Sequence, residues 1–173
     1  DYHPCIHASR LFSKRAYVIG FLVIRDTLWD DDNLSRSLFG VCSALFKANY
    51  RTLPLICDRK FLETKEYLNV FSRQELDGLI VWGAHEDSGF LAELADAGRP
   101  FILLANPLDR YPSVSVDHRK AVSALVEHCK KLGATRFTAL MHRSGSSYQQ
   151  REQGFQDAVA GLDSTLMFPE PTM

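Results

Sequence analysis

The feature that most constrains the fold is a nearly unbroken apolar run that stops at a charged pair. It spans residues 17–26 and is YVIGFLVIRD. The run is rich in β-branched and aromatic residues and too short for a bilayer, which is typical of a strand buried on both faces of a parallel sheet. Ligands of open parallel sheets bind beyond the carboxyl ends of the strands. Arg25, Asp26 and the loop as far as Asn33, which contains Trp29, are therefore predicted to face a small molecule.

Strand-like and helix-like segments alternate along the rest of the chain. The predicted strands are residues 53–57, 76–82, 101–105, 113–116 and 137–141. The predicted helices are residues 34–46, 61–71, 87–97, 118–132 and 147–159. Alternation at this pace, with short loops, predicts an α/β fold, a doubly wound parallel sheet with right-handed crossovers. Residues 162–173, which include Pro169 and Pro171, are predicted to be a connector.

Composition and charge narrow the class of protein. The chain has 173 residues, 46% of them hydrophobic, and a formal net charge of -1. It can bury one sizeable core, and because its bulk forms no basic surface for nucleic acid, any DNA contact must be local. The sequence shows no secretory signal and no apolar run long enough for a bilayer, which predicts a cytoplasmic protein without a membrane partner.

The cysteines give no indication of a metal site. Cys5, Cys42, Cys57 and Cys129 are far apart and form no C-x-x-C pair. Neither a zinc site nor a disulfide framework is predicted, and no cofactor is expected. Cys42, Cys57 and Cys129 are predicted to be buried thiols, because unpaired cysteine is among the most buried residue types.

Polar residues follow each predicted strand. Since the strands are parallel, these residues are expected to share one edge of the sheet and to form a polar rim suited to a hydroxyl-rich or amide-rich ligand. The rim residues are Asp26, Asp58, His85, Glu86, Asn106, Asp117 and His118. An alternative stays open, because Asp58, Asp87 and Asp117 stand where an aspartate caps the following helix.

Five short motifs occur in order over most of the chain. They are Tyr2-His3-Pro4 with Ala8 and Leu11, Tyr17-Val18-Ile19-Gly20, Asp77-Gly78-Leu79-Ile80, Ser115-Val116-Asp117-His118, and Ser146-Ser147 with Arg151, Gly154 and Phe155. Together they resemble the lac repressor/galactose repressor (LacI/GalR) family of bacterial transcription regulators. The matching strings of that family are its hinge, the opening strand of its core, D-G-I-I, V-D-N and S-S-x-x-x-R-x-x-G-F.

The resemblance implies a two-lobed core of the periplasmic-binding-protein type (type I). Residues 1–15 would be a hinge leading from a helix-turn-helix head outside this chain. Residues 16–132 would form the first lobe and residues 133–173 the start of the second. The implied function is that of a DNA-binding regulator, a repressor whose core binds a sugar or sugar derivative and forms a homodimer through the helix of residues 34–46.

The resemblance also assigns roles in DNA binding. In the family the hinge becomes a helix on the operator and its leucine wedges into the minor groove, which makes Leu11 the matching residue here. Ala8 would allow paired hinge helices to approach closely, and Arg10 would reach a phosphate. This chain departs from the family pattern at Cys5, where Asn is usual, and at Ser9, where Arg is frequent.

The implied effector site combines the rim with the last motif. Arg151 would clamp sugar hydroxyls or a carboxylate, and Asp117 would either contact the ligand or cap a helix. Lys120 stands where some sugar-binding members have a carboxylate, which favours an acidic or phosphorylated effector if its side chain points inward. Trp29 would stack on the sugar, whereas Phe39 is expected in the core.

The sequence also bears on three other functions. Ser146, His142 and Asp117 supply the residue types of a nucleophilic triad, but there is no G-x-S-x-G elbow, no P-loop and no G-x-G-x-x-G, so an enzyme is not predicted. A periplasmic-type sugar-binding protein without DNA binding shares the fold, and it is the alternative. A bare interaction module would leave the rim without a ligand.

Overall fold

The computed structural model describes residues 15–24, 32–85, 88–141 and 146–168. Within this part of the chain the strands are β1 (Val18–Ile24), β2 (Arg51–Cys57), β3 (Gly78–Trp82), β4 (Phe101–Leu104), β5 (Ser113–Val114), β6 (Arg136–Leu140) and β7 (Asp163–Met167). The helices are α1 (Asp32–Lys47), α2 (Arg59–Glu63), α3 (Glu66–Ser72), α4 (Phe90–Asp96), α5 (His118–Lys131) and α6 (Ser146–Ala158).

The strands form two sheets in which every pairing is parallel. The larger sheet has the order β2-β1-β3-β4-β5, and the smaller pairs β6 with β7. The chain leaves β1 towards one side for β2 and returns to the other side for β3, which is the doubly wound arrangement. The predicted fold class is confirmed. We call β1–β5 with α1–α4 the first sheet region, and α5–β7 the second sheet region.

The opening strand β1 is buried on both faces, as its composition predicts. Phe21 and Leu22 are both 0% exposed. Neighbouring residues of a strand point to opposite faces, so these two side chains enter different cores. Phe21 shares its cluster with Leu34 of α1. Leu22 belongs to a larger cluster that includes Phe61 of α2 and residues of α3 and α4.

The second sheet region has a core of its own. Its buried residues are Val126 of α5, Phe155 of α6 and Val159. Partly buried side chains of β6 and β7, among them Phe137 and Leu166, pack against them. The helix α5, which the sequence-based division places in the first lobe, therefore shares its core with elements that follow residue 133.

The two helices of this region approach each other closely at a glycine. A Cβ atom added to Gly154 of α6 would lie 2.3 Å from the backbone oxygen of Arg119 in α5. The Ser123 hydroxyl lies 3.1 Å from the Gly154 carbonyl oxygen. The Arg119 guanidinium donates from Nε to Asp157 Oδ2 at 2.8 Å. Only a residue without a side chain fits at this crossing.

Several local predictions are wrong. Residues 163–167 form the strand β7 instead of a connector. The predicted helix over residues 61–71 is two helices, because Lys65 has a left-handed φ of 52° between α2 and α3. Phe39 is 78% exposed on α1 instead of buried in the core. Cys57 is buried as predicted, whereas Cys42 and Cys129 are only partly buried.

No helix among the described residues combines the length and the apolar character that a membrane span requires.

Candidate functional site

All five strands of the first sheet region end at one edge, because they are parallel. This edge carries Asp58 after β2, His85 after β3, Asn106 after β4 and Asp117 after β5. The structure thus brings the described members of the predicted rim to one edge of the sheet. The predicted site residues Arg25, Asp26 and Trp29 lie outside the described residues, as do Glu86, Asp87 and His142 and the DNA-contacting candidates Ala8, Arg10 and Leu11.

The end of β4 is bonded to the start of α6. The Ser147 hydroxyl lies 2.9 Å from Asn106 Oδ1 and 3.1 Å from the Ala105 carbonyl oxygen, so its single proton serves two acceptors. Asn106 in turn donates from Nδ2 to the Ala84 carbonyl oxygen at 3.5 Å. Ser147 is only 7% exposed. These bonds connect the rim of the first sheet region to the second sheet region.

The backbone is strained where this connection is made. Ala105 has a φ of 76°, in the left-handed region that a residue with a Cβ rarely adopts. Strained residues of this kind persist where surrounding contacts determine their conformation, and they cluster at ligand sites. Here the contacts are the Ser147 hydroxyl and the bond from the Ala105 amide to the Val114 carbonyl oxygen, at 3.0 Å.

Arg151 of α6 is held by two neighbours. Its Nε donates to Nδ1 of His118 at 3.3 Å, and its guanidinium carbon lies 5.1 Å from the centre of the Tyr148 ring. A histidine nitrogen accepts a hydrogen bond only when it carries no proton, so the contact needs neutral His118. A planar guanidinium fixed in this way is prepared to bind a carboxylate, a phosphate or paired hydroxyls.

The charge state of His118 agrees with that contact. Burial lowers the pKa of His118, and the positive charge of Arg151 lowers it further, while Asp117 acts in the opposite direction. The imidazole is therefore neutral at physiological pH, when its Nδ1 accepts from Arg151. His118 stands where the V-D-N string of the family has Asn.

The aspartates after β2 and β5 do cap helices. Asp58 Oδ1 accepts from the Phe61 amide at 2.8 Å at the start of α2. Asp117 Oδ1 accepts from the Lys120 amide at 2.8 Å at the start of α5. The capping alternative is thus confirmed for both residues, but one cap uses only one of the two carboxylate oxygens. The Lys120 residue is exposed.

A cavity of about 690 Å³ lies along the carboxyl ends of β1, β2 and β3. This volume is within the range of small-molecule sites. Its lining includes Ile24, Asp58, Tyr67, His85 and Glu93. The cavity lies beside the point where the strand order reverses between β1 and β3, where ligands of such sheets bind.

One wall of this cavity is fixed by a hydrogen-bonded network. The Tyr67 hydroxyl donates to Glu93 Oε2 at 2.9 Å, and Lys65 Nζ donates to the same oxygen at 2.8 Å. Burial, followed by the bond to Glu93, raises the pKa of Tyr67 to about 12. The phenol therefore stays protonated and remains a donor to Glu93. In this wall the charge of Glu93 is paired with that of Lys65.

Sequence reasoning did not identify the partners of Ser147 and Arg151. The sequence predicts Ser147 as part of a motif, and His118 as a motif residue and a member of the rim. The bonds from Ser147 to Asn106 and from Arg151 to His118 span 41 and 33 residues of sequence. No local pattern marks such pairs, although the S-S-x-x-x-R spacing does place Ser147 and Arg151 one helical turn apart.

Comparison with protein families gives no match, and neither does comparison with curated proteins. Solved structures do match. A LacI-family regulatory protein from Chloroflexus aggregans has a TM-score of 0.77 and 19% identity, over 91% of this chain and 59% of that one. Cra, a transcriptional dual regulator from Pseudomonas putida in complex with fructose 1-phosphate, has a TM-score of 0.71 and 21% identity, over 90% and 59%. The regulator CelR in complex with cellobiose has a TM-score of 0.73 and 19% identity, over 91% and 52%.

At these identities the likeness shows the fold. It is the fold of transcription regulators, including a LacI-family member, in agreement with the resemblance carried by the five motifs. The match covers about nine-tenths of this chain but only 52% to 59% of the three regulators. The chain therefore corresponds to one lobe of the periplasmic-binding-protein type and the beginning of a second.

Proposed function

We propose that this chain is the larger part of the effector-binding core of a LacI/GalR-type transcription regulator, a cytoplasmic repressor that binds operator DNA and a carbohydrate effector. The observation that carries the proposal is the junction at the carboxyl edge of the first sheet. There Ser147 of α6 bonds Asn106 at the end of β4, and within the second sheet region Arg151 bonds His118, so polar groups from both sheet regions lie at one edge of the first sheet. A catalytic role is not part of the proposal.

The effector site consists of residues from both sides of this junction. Asn106 and Asp117 come from the ends of β4 and β5, and Arg151 comes from α6. Arg25, Asp26 and Trp29 complete the site from the loop after β1, and Lys120 adds a positive charge at the start of α5. The fold neighbours include one regulator bound to a phosphorylated sugar and one bound to a neutral sugar. The positive charges of Arg151 and Lys120 favour the phosphorylated class.

Calorimetry on the full-length protein tests the site. We expect fructose 1-phosphate to bind more tightly than cellobiose, and Arg151→Gln to weaken binding at least tenfold, about 1.4 kcal/mol. Arg136→Gln, which removes an exposed arginine of β6, is the matched control and should bind like the wild type. No heat with either sugar would contradict a carbohydrate effector. Tighter binding of cellobiose would contradict the phosphorylated class alone.

The packing of α5 supports a lobe boundary before this helix. Since Val126 shares a core with Phe155 and Val159, we propose that the second lobe begins at His118 instead of at residue 133. The chain then passes from the first lobe to the second through residues 115–117. Asp117, which caps α5, lies at the end of this segment, next to the cleft.

Dimerisation is proposed through α1. Phe39 and Phe46 are 78% and 80% exposed and lie about two helical turns apart, on one face of α1. An exposed apolar face of this kind marks an interaction site, and a symmetric dimer matches a palindromic operator. Sedimentation equilibrium should show a dimer that becomes a monomer in Phe39→Glu/Phe46→Glu. Leu125→Glu, on an exposed position of α5, is the control and should stay dimeric.

The DNA-binding part rests on the N-terminal segment. Leu11→Ala in the full-length protein should remove operator binding and leave effector binding intact, because the leucine acts only as a minor-groove wedge. Unchanged operator binding would contradict the assignment. A helix-turn-helix encoded immediately upstream of Asp1 separates the regulator from the alternative, a periplasmic-type sugar-binding protein.

A further inference from the structure

A carboxylate at the start of β3 holds the backbone just before β1. Asp77 Oδ1 accepts from the Ala16 amide at 2.7 Å, and Asp77 Oδ2 accepts from the Tyr17 amide at 2.8 Å. Each oxygen of the carboxylate thus serves one amide of a segment about 60 residues earlier in the chain. Hydrogen bonds to a charged acceptor are stronger than those between neutral groups.

The same segment is fixed from two further directions. The Asp77 amide donates to the Val18 carbonyl oxygen at 2.8 Å, and the Arg51 amide donates to the Tyr17 carbonyl oxygen at 2.9 Å. The rings of Tyr17 and Tyr50 are in contact, with centres 5.6 Å apart. Ala16 is only 4% exposed. The entry of the chain into β1 is therefore held by the strands on both sides of it.

The backbone at this point is bent and strained. Tyr17 has a φ of 55°, in the left-handed region that bulky residues rarely adopt. A strained residue keeps such a conformation only when its surroundings impose it. A parallel strand needs no bend of this kind to pair with its neighbours. The two bonds from Asp77 therefore do more than begin the sheet, because they fix the backbone of Ala16 and Tyr17 where the chain enters β1.

The position of β3 connects this anchor with the candidate site. The strand begins just after Asp77, and the Ala84 carbonyl that accepts from Asn106 follows its other end. β3 also pairs with β1 from Ile19 to Val23. One short strand thus lies between the carboxylate that holds the N-terminal segment and the polar groups at the cleft.

We propose that Asp77 is the positioning residue that couples the N-terminal DNA-binding segment to the core: its carboxylate fixes the backbone of Ala16 and Tyr17, so that operator affinity depends on this one side chain although it touches no DNA. The inference rests on the proposed function. It adds to that function a specific joint between the core and the segment that contacts DNA.

The test compares Asp77→Asn with Glu75→Gln in the full-length protein. The two amides bond to different oxygens of Asp77, and asparagine replaces one of these oxygens by an NH2 group, which donates and cannot accept from a backbone amide. Glu75 lies in the same loop and bonds Arg73 at 2.6 Å, so Glu75→Gln removes the same charge from the same edge without touching the anchor. Loss of a negative charge alone would tighten binding to DNA. The anchor predicts the opposite sign for Asp77→Asn.

Two measurements are made. Hydrogen exchange should show the amides of residues 16 and 17 exchanging at least tenfold faster in Asp77→Asn than in Glu75→Gln. On an operator selected from random DNA by the wild-type protein, Asp77→Asn should bind at least tenfold more weakly, while its affinity for the effector stays within about twofold. Thermal melts check that both variants are folded. If Asp77→Asn does not fold, Asp77→Glu, which keeps the charge on a longer side chain, replaces it in both measurements.

Unchanged exchange of these amides would overturn the anchor. Faster exchange with operator affinity equal to that of Glu75→Gln would overturn the coupling. A wild-type protein that binds no DNA overturns the proposed function and the coupling with it, whereas the exchange rates still decide whether Asp77 holds the segment.

Discussion

The two sheet regions differ in how many faces of their strands are covered. In β3 of the first sheet region four of five residues are buried, and the central Ile80 is partly buried. In β6 of the second sheet region partly buried and exposed residues alternate, with Phe137 and Ala139 inward and Leu140 70% exposed. A strand between two layers of helices buries both sets of side chains, and one covered on a single face buries alternate residues. Among the described residues, helices cover both faces of the first sheet and only one face of the second.

The close contacts at glycine residues also differ between the two regions. In the first sheet region Gly20 faces the ends of leucine side chains, and a Cβ there would lie 2.5 Å from Leu79 Cδ2. In the second, the Cβ of a residue at Gly154 would meet the backbone of Arg119. Side-chain ends can move aside and a helix backbone cannot. The crossing at Gly154 is therefore less tolerant of an added methyl group than the contact at Gly20.

The largest effect is expected from Gly154→Ala. The added methyl group overlaps the Arg119 backbone and should destabilise the second sheet region by roughly 3 kcal/mol, the upper end for overpacking. Hydrogen exchange should show faster opening of α5 and α6 with β1 and β3 still protected. Gly40→Ala is the control, since no atom lies within 4 Å of a Cβ there. It should raise the free energy of unfolding by up to about 1 kcal/mol, because alanine favours a helix interior.

A smaller loss is expected from Gly20→Ala. The new methyl group would meet Leu79 and Leu76 side chains, which can turn away, so the free energy of unfolding should fall by about 1 to 2 kcal/mol. Chemical denaturation measures the loss, and exchange should place it in the first sheet region. A loss as large as that of Gly154→Ala would remove the distinction between side-chain and backbone obstacles.

The sequence predicts the two regions to different degrees, for physical reasons. Burial on both faces makes β1 and β3 continuous apolar runs, which a reader of the sequence can find. The strand β7 has one partly buried residue, Leu166, so its sequence resembles a connector. Phe39 lies next to Leu38 in α1 but outside the face on which Leu38 and Val41 pack against the sheet, and spacing alone does not say how wide the covered face is.

The residues of the candidate site also differ in how far the sequence predicts them. Asn106 and Asp117 were placed at the cleft by the rule that parallel strands end together. The partner of Arg151 lies at the crossing of α5 and α6, which depends on Gly154, and the partners of Ser147 lie at the end of β4, so both depend on packing between distant segments. The membership of α5 in the second core has the same origin. Chain order and caps cannot reveal which of two cores a helix will join.

A pH effect is expected at the contact between His118 of α5 and Arg151 of α6. The pKa of His118 is lowered in the folded protein, so below the ordinary value of about 6.5 the unfolded chain binds a proton that the folded one resists. The contribution of neutral His118 to the free energy of unfolding is complete above about pH 6.5, and it is lost as the pH falls through the lowered pKa of His118. Effector binding through Arg151 should weaken over the same window, because protonated His118 cannot accept its hydrogen bond.

The measurement is a set of thermal melts and binding isotherms between pH 5 and 8 on His118→Asn and on His128→Asn, which changes an exposed histidine of the same helix. His118→Asn should flatten the pH dependence, and His128→Asn should leave it as in the wild type. The same slope in both variants would show that His118 does not control the pH dependence.

The smallest effect in this chain is expected on the uncovered face of the second sheet. Leu140 and Met167 are neighbours in the β6–β7 register and are 70% and 52% exposed. Leu140→Lys should change the free energy of unfolding of the 173-residue chain by less than about 0.5 kcal/mol, as at other surface positions. If further elements of a second lobe cover this face in the full-length protein, the same lysine is buried without a partner and should cost at least about 2 kcal/mol. Equal costs in both forms would mean that the face stays open to solvent, and that the difference in covered faces is a property of the whole protein.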